Sequence, residues 1–148
     1  MTPDRRAALL AQASSQHRAG RLDAAALAYA RVLDEWPEET GALTPLAAIA
    51  LARGEAEQAL ALAERSLAVA PDQVIALSVR GAALQRLGRL DAARESFDRV
   101  LALDPGQAEA WNNRGVVLRQ AGALDEALAS YDRALTLRPD YAAAYNNR

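Results

Sequence analysis

The chain has 148 residues, a formal net charge of −2, one histidine and no cysteine. All 17 basic residues are arginine, which excludes chemistry that needs lysine, while the lack of cysteine excludes disulfides and cysteine-bound zinc. Because His17 alone cannot form a two-histidine site, we expect no metal and no cofactor. The evenly mixed charge lacks the basic excess that nucleic-acid binding requires, so nucleic acid is excluded as a partner.

Membrane insertion and export are also not expected. The longest apolar stretch, residues 42–52, contains Thr44 and Pro45 and is far shorter than the roughly 20 residues that span a bilayer. The short apolar run after Arg6 does not make a convincing signal peptide, because Asp4 is in the wrong place. The sequence predicts a cytoplasmic chain, and arginine without lysine in an alanine-rich chain indicates a GC-rich bacterial genome.

Four series of residues share a spacing of 34. They are the prolines Pro37, Pro71, Pro105 and Pro139, the alanines Ala25, Ala59, Ala93 and Ala127, the glycines Gly20, Gly54, Gly88 and Gly122, and the small residues Ala13, Ala47, Gly81 and Gly115. A common period predicts an array of repeats. We assign repeats to 6–39, 40–73, 74–107 and 108–141, with 142–148 as the start of a fifth, in one array over 1–148.

Each repeat is predicted to contain two helices, as the fourth repeat shows. A first amphipathic run includes Trp111 and ends at Gly122, the residue type that helix C-termini prefer. A second run begins around Asp125, whose carboxylate can accept hydrogen bonds from the amides of the first turn. Pro139 ends it, because proline has no N–H and disfavours helix in the residue before it. In the second repeat we expect Pro45 in the first helical turn, with Thr44 as the cap.

Small residues are expected where the two helices of a repeat meet. The series Ala13, Ala47, Gly81 and Gly115 on the first helix should face the alanines Ala25, Ala59, Ala93 and Ala127 on the second. One such hairpin cannot bury its apolar face alone, so neighbouring hairpins should stack.

At these positions the chain resembles the tetratricopeptide repeat family. Its signature is carried by Trp111, Gly115, Leu118, Gly122, Ala127, Tyr131, Ala134 and Pro139 in the fourth repeat, and the third is nearly as complete. The first two repeats depart from it at Gln12, Gln16 and Ala63. The resemblance implies an all-α, right-handed superhelical solenoid of antiparallel helix pairs, whose first helices line a concave groove that binds peptides and other proteins.

Candidate groove residues follow from that resemblance: Leu51, Val79, Gln85, Arg86, Asn112, Asn113, Arg119, Gln120, Asn146 and Asn147. Asparagine offers both a donor and an acceptor and suits contact with a peptide backbone. Asn113 and Asn147 match the asparagine ladder of repeat arrays attached to O-linked N-acetylglucosamine transferases. Alternatively, these asparagines cap or solvate the helix start. Arg86 and Arg119 could bind carboxylates by paired hydrogen bonds, or could be solvated surface residues.

No catalytic residue is predicted. Ser14, Ser15 and His17 lie within one helix, without a carboxylate fixed nearby to complete a catalytic arrangement. At the other end, residues 142–148 copy residues 108–114, and no polar capping helix follows. One interpretation is that the chain is a fragment of a longer protein, in which case the apolar side of the helix from Leu128 to Leu137 is left partly uncovered. The alternative is that residues 142–148 form a short closing helix.

The predicted function is a scaffold that binds a protein or an extended peptide in its groove and does no chemistry itself. One alternative is the substrate-recognition arm of a larger enzyme, a glycosyltransferase or sulfotransferase, with its catalytic domain beyond residue 148. Another is self-association through the uncapped last repeat.

Overall fold

Residues 3–148 are described by a computed structural model, with side chains from residue 5 onward. They form nine α-helices and no strand: α1 Pro3–Arg18, α2 Leu22–Glu35, α3 Thr40–Ala52, α4 Ala56–Val69, α5 Val74–Arg86, α6 Leu90–Leu103, α7 Ala108–Gln120, α8 Leu124–Leu137 and α9 Ala142–Asn147. The helices α3, α5, α7 and α9 begin 34 residues apart, as do α2, α4, α6 and α8. The 34-residue period of the sequence is therefore the period of the helices.

The helices form two compact units, Met1–Pro71 and Asp72–Arg148. In the N-terminal unit, α1 packs on α2 and α3 packs on α4 as helical hairpins, with α2 also in contact with α3. The C-terminal unit repeats this arrangement with α5/α6 and α7/α8, and its short last helix α9 packs on both α7 and α8.

A glycine with positive φ ends the first helix of each hairpin, as the sequence predicts. Gly20, Gly54, Gly88 and Gly122 have φ between 75° and 84°, a region open to glycine at little cost. At α7, Gly122 N donates to Arg119 O at 3.0 Å and Ala123 N donates to Leu118 O at 2.8 Å. These two bonds form a Schellman motif, which satisfies the last carbonyls of the helix.

The second helices start without the side-chain cap that the sequence suggested. Helix α8 begins at Leu124, and Ala123 at the cap position makes no side-chain hydrogen bond. Asp125 instead lies inside the first turn, as do Asp23, Glu57 and Asp91 in the preceding hairpins. Carboxylates in that turn stabilise the positive end of the helix dipole.

The predicted start of α3 is wrong. The helix begins at Thr40, where the Glu39 side chain accepts a hydrogen bond from Gly41 N at 3.1 Å, and Pro45 lies inside the helix. Thr44 is not the cap, because it lies within the helix and is buried with its hydroxyl 2.7 Å from Ser66 Oγ on α4. The glutamate cap starts the helix early, and the helix tolerates the one hydrogen bond that Pro45 removes.

Small residues of both series are buried where the paired helices pack, and the two glycines of the first series lie against aromatic rings. The atoms nearest to a Cβ built on Gly81 belong to Phe97, at 2.8 Å, and those nearest to one on Gly115 belong to Tyr131, at 2.5 Å. The glycines on α5 and α7 therefore make room for an aromatic ring on the second helix.

The hydroxyl of Tyr131 is buried and lacks a hydrogen-bond partner among residues 5–148. At the corresponding place in the first hairpin, the Tyr29 hydroxyl bonds to Ser14, whereas Val116 occupies the position of Ser14 in the fourth. Burial raises the pKa of Tyr131, and the opposing effect of the Arg119 charge is smaller.

Candidate functional site

A cleft of about 230 Å³ lies between α5 and α7, the two neighbouring first helices of the C-terminal unit. It is lined by Val74, Ile75, Ser78, Val79, Gln107, Glu109, Ala110 and Asn113. Val79 and Ala110 are buried and form an apolar floor, while Ile75 is 66% exposed at the rim. Two of the predicted groove residues, Val79 and Asn113, therefore meet in one concave site.

Three polar side chains in this cleft are available to a ligand: Ser78, which is half-buried and without a hydrogen bond within residues 5–148, Asn113 and Glu109. The Asn113 amide is half-buried and makes no hydrogen bond to the described side chains or backbone, and Glu109 is exposed and forms no ion pair within residues 5–148. Gln107, by contrast, already donates to Asp104 Oδ2 at 3.0 Å. The cleft thus offers one hydroxyl and one amide, which both donate and accept, and one carboxylate.

At the C-terminal ends of the same helices, the predicted groove residues bond to one another. Gln85 Nε2 on α5 donates to Gln120 Oε1 on α7 at 3.1 Å. Arg119 Nη1 donates to the Asn147 carbonyl at 3.2 Å, and Arg86 is exposed at the end of α5. The Gln85 and Gln120 amides and the Arg119 guanidinium thus form hydrogen bonds between helices. They are less available to a ligand than the Asn113 amide, which has no such bond.

The four predicted asparagines divide into two kinds. Asn112 is buried, accepts a hydrogen bond from Asn147 Nδ2 at 3.1 Å and bonds to the Tyr141 side chain. Asn112 and Asn147 therefore hold α9 against α7. Asn113 lines the cleft, and Asn146 is exposed on α9. Burial, followed by the charge of Glu109, raises the pKa of Tyr141.

The N-terminal unit holds the remaining candidates. Leu51 is half-buried on α3. Ser14 bonds to Tyr29, and the His17 ring lies edge-on to the same tyrosine with 6.1 Å between ring centroids.

Over the described part of the chain, no group of three or more His, Asp or Glu side chains is arranged to hold a metal ion. Nor does any helix found there have the length and apolar character to cross a membrane.

A series of arginines at 34-residue spacing escaped the sequence analysis. Arg80 Nη1 donates to Ser96 Oγ at 2.6 Å, and Arg114 Nη1 makes the same bond to Ser130 Oγ at 2.7 Å. Arg114 Nε also donates to Asp98 Oδ1 at 2.6 Å, matched by Arg148 Nε and Asp132 Oδ1 at 2.6 Å. The common spacing of Arg80, Arg114 and Arg148 is the signal that could have revealed them.

Comparison with known proteins identifies the fold and the family. The profile of the tetratricopeptide repeat family matches residues 1–40, 44–107 and 80–142. A crystal structure of MamA superposes with a TM-score of 0.88 at 21% identity, over 99% of this chain and 80% of that one. A structure of MamA AMB-1 gives 0.82 at 27% identity, over 99% and 80%.

A tetratricopeptide repeat protein from Parabacteroides merdae ATCC 43184 gives a TM-score of 0.84 at 24% identity, over 99% of this chain and 57% of that one. No curated protein sequence matches the chain significantly. The predicted fold class, an all-α helical-repeat solenoid, is confirmed. Proteins of this kind are typically interaction scaffolds without catalytic activity. With the family profile matching along most of its length, the chain belongs to the tetratricopeptide repeat family.

Proposed function

We propose that the chain binds an extended segment of a partner protein in the cleft between α5 and α7, and that it performs no chemistry itself. The observation that carries this proposal is the free Asn113 amide beside the apolar floor of Val79 and Ala110. An amide next to an apolar floor suits a peptide, since it can pair with a backbone unit while a side chain enters the cleft.

The size of the cleft favours a peptide over a small-molecule ligand. At about 230 Å³ it is smaller than the roughly 300–1,000 Å³ of sites that enclose drug-sized ligands. It is large enough for one or two side chains of a segment that continues over the exposed rim at Ile75. The rest of the segment would contact the protein surface outside the cleft.

We assign different roles to the other predicted groove residues of the C-terminal unit. Gln85 and Gln120 fix the spacing of α5 and α7 through their mutual hydrogen bond. Asn112, Asn147 and Arg119 position α9. Asn146 and Arg86 are exposed and supply peripheral contacts. Of the two asparagines that match the ladder, we therefore assign the contact with the peptide backbone to Asn113, because Asn147 already bonds to Asn112.

Replacing Asn113 by alanine is expected to weaken peptide binding about two- to twelvefold, since a net hydrogen bond is worth about 0.5–1.5 kcal/mol. The measurement is isothermal titration calorimetry with the tightest peptide selected from a random library displayed against the chain. Arg133→Ala is the matched control, because Arg133 lies on α8 over the Trp111 ring and does not line the cleft. Equal losses in the two variants would place the binding site elsewhere.

A second candidate function is self-association, favoured by exposed leucines on α8. Leu124 and Leu128 are 59% and 44% exposed and lie four residues apart, on one face of the helix. Leu137 at the end of α8 and Tyr145 on α9 add further exposed apolar surface. We propose that a second copy of the chain covers this face at high concentration.

Sedimentation velocity over a concentration series tests the second candidate. The unmodified chain should sediment faster as its concentration rises, and Leu128→Glu should suppress that rise because a buried unpaired charge is costly. Leu27→Glu is the control, since Leu27 is a lone exposed leucine on α2. A chain that stays monomeric at every concentration excludes self-association.

A further inference from the structure

Glu109 gives the cleft a negative charge that no described side chain neutralises. It is exposed in the first turn of α7 and lines the cleft. Arg138 also lies near Tyr141, but its Cζ is 4.3 Å from the centre of the Tyr141 ring. Within residues 5–148 it forms no ion pair with Glu109. No other charged side chain lines the cleft within the described residues.

Apolar surface lies directly beside this carboxylate. Ile75 on α5 is 66% exposed, and the floor below it consists of Val79 and Ala110. An exposed branched side chain next to a buried apolar floor gains from being covered, at about 25 cal/mol for each Å² removed from water. The site therefore combines an apolar surface, formed by Ile75, Val79 and Ala110, with a single carboxylate at its edge.

We propose that the cleft selects segments in which a leucine-sized apolar residue adjoins an arginine or lysine. The apolar side chain lies on Val79, Ala110 and Ile75, and the cation pairs with Glu109. Acidic neighbours are disfavoured by like-charge repulsion. This inference rests on the proposed peptide-binding function and adds the chemistry of the partner.

Four short peptides with blocked termini test the inference. Their central pairs are Leu-Arg, Leu-Gln, Leu-Glu and Ala-Arg, with glycine and serine on either side. Each is titrated into the isotopically labelled full chain, and the amide resonances of Val79 and Asn113 are followed by NMR. We expect Leu-Arg to bind about five- to tenfold more tightly than Leu-Glu at low salt, because attraction and repulsion each contribute the effect of an exposed ion pair. High salt should reduce that ratio.

Two variants test whether the charge of Glu109, and not the loss of any surface carboxylate, causes the preference for Leu-Arg. Glu109→Gln should bring the affinities for Leu-Arg and Leu-Glu together and leave that for Leu-Gln unchanged. Glu95→Gln is the matched control, because Glu95 is exposed on α6 and does not line the cleft. Circular dichroism confirms that both variants fold.

The outcomes distinguish this inference from the function on which it rests. If Leu-Glu binds as tightly as Leu-Arg while Val79 and Asn113 still shift, the cleft binds peptides but the charge preference is wrong. If Ala-Arg binds as tightly as Leu-Arg, the proposed contact of a leucine-sized side chain with Val79, Ala110 and Ile75 is wrong. If no peptide shifts these resonances, both this inference and peptide binding in the cleft are overturned.

Discussion

Replacing Gly115 by alanine is expected to lower the free energy of unfolding by up to about 2 kcal/mol, the cost of about 1–3 kcal/mol for overpacking a core less the gain from alanine. The new Cβ would lie 2.5 Å from Tyr131 Cε1. That ring is only 1% exposed, so it cannot turn away without moving its neighbours. The gain that alanine brings to a helix interior over glycine, about 1 kcal/mol, offsets only part of the cost. Urea denaturation followed by circular dichroism measures the difference.

Two further variants identify the clash as the cause. Gly106→Ala should change stability by less than about 0.5 kcal/mol, since its Cβ would meet only Asp104 Oδ1, at 3.5 Å. With Tyr131→Ala as background, Gly115→Ala should become stabilising because the ring is absent. The second hairpin already has alanine at both equivalent positions, Ala47 and Ala63. A similar loss in both backgrounds would show that the ring is not responsible.

Replacing Arg114 by methionine is expected to cost about 1–3 kcal/mol, the penalty for leaving a buried polar group unsatisfied. The guanidinium bonds to Ser130 Oγ at 2.7 Å and to Asp98 at 2.6 Å. Ser130 is buried, and the Arg114 side chain is only 18% exposed. Methionine keeps part of the apolar stem but offers no donor to either oxygen. Chemical denaturation again provides the measurement.

Arg99→Met is the matched control for Arg114. Arg99 bonds to Asp72 at 2.7 Å, but its side chain is 52% exposed, and exposed ion pairs contribute about 0–1 kcal/mol. Adding Ser130→Ala to Arg114→Met should recover part of the loss, because it removes the stranded hydroxyl. Equal effects of Arg114→Met and Arg99→Met would contradict the role assigned to the buried serine.

The fold was predictable because its main determinants are local and repeated. Gly122 shows why: a positive φ at a helix end favours glycine, so a glycine every 34 residues places the hairpin turns without any knowledge of packing. Prolines at the same spacing mark the ends of the second helices. The start of α3 was misjudged because Pro45 and Thr44 have the composition of a helix start, whereas Glu39 provides the cap.

The candidate site was predictable only in part, because it depends on the rotation of each helix about its axis. Asn112 and Asn113 are chemically identical neighbours about 100° apart around α7, yet one is buried against α9 and the other lines the cleft. The sequence could not predict that Glu109 and Ile75 line the same cleft, since this depends on how α5 and α7 face each other. The role of Arg80 and Arg114 could not be predicted, because it depends on the burial of Ser96 and Ser130 on the neighbouring helices.

The buried tyrosine hydroxyls have a consequence for tolerance of alkaline solution. Every basic side chain is arginine, which keeps its charge far into the alkaline range. Burial raises the pKa of Tyr29, Tyr131 and Tyr141 above the usual 10.0, so the folded chain holds these protons more tightly than the unfolded chain. Their contribution to stability is complete below pH 10 and declines as the pH rises above it. In strong base the ionisation of these three phenols therefore lowers the stability of the fold, while the arginines remain charged.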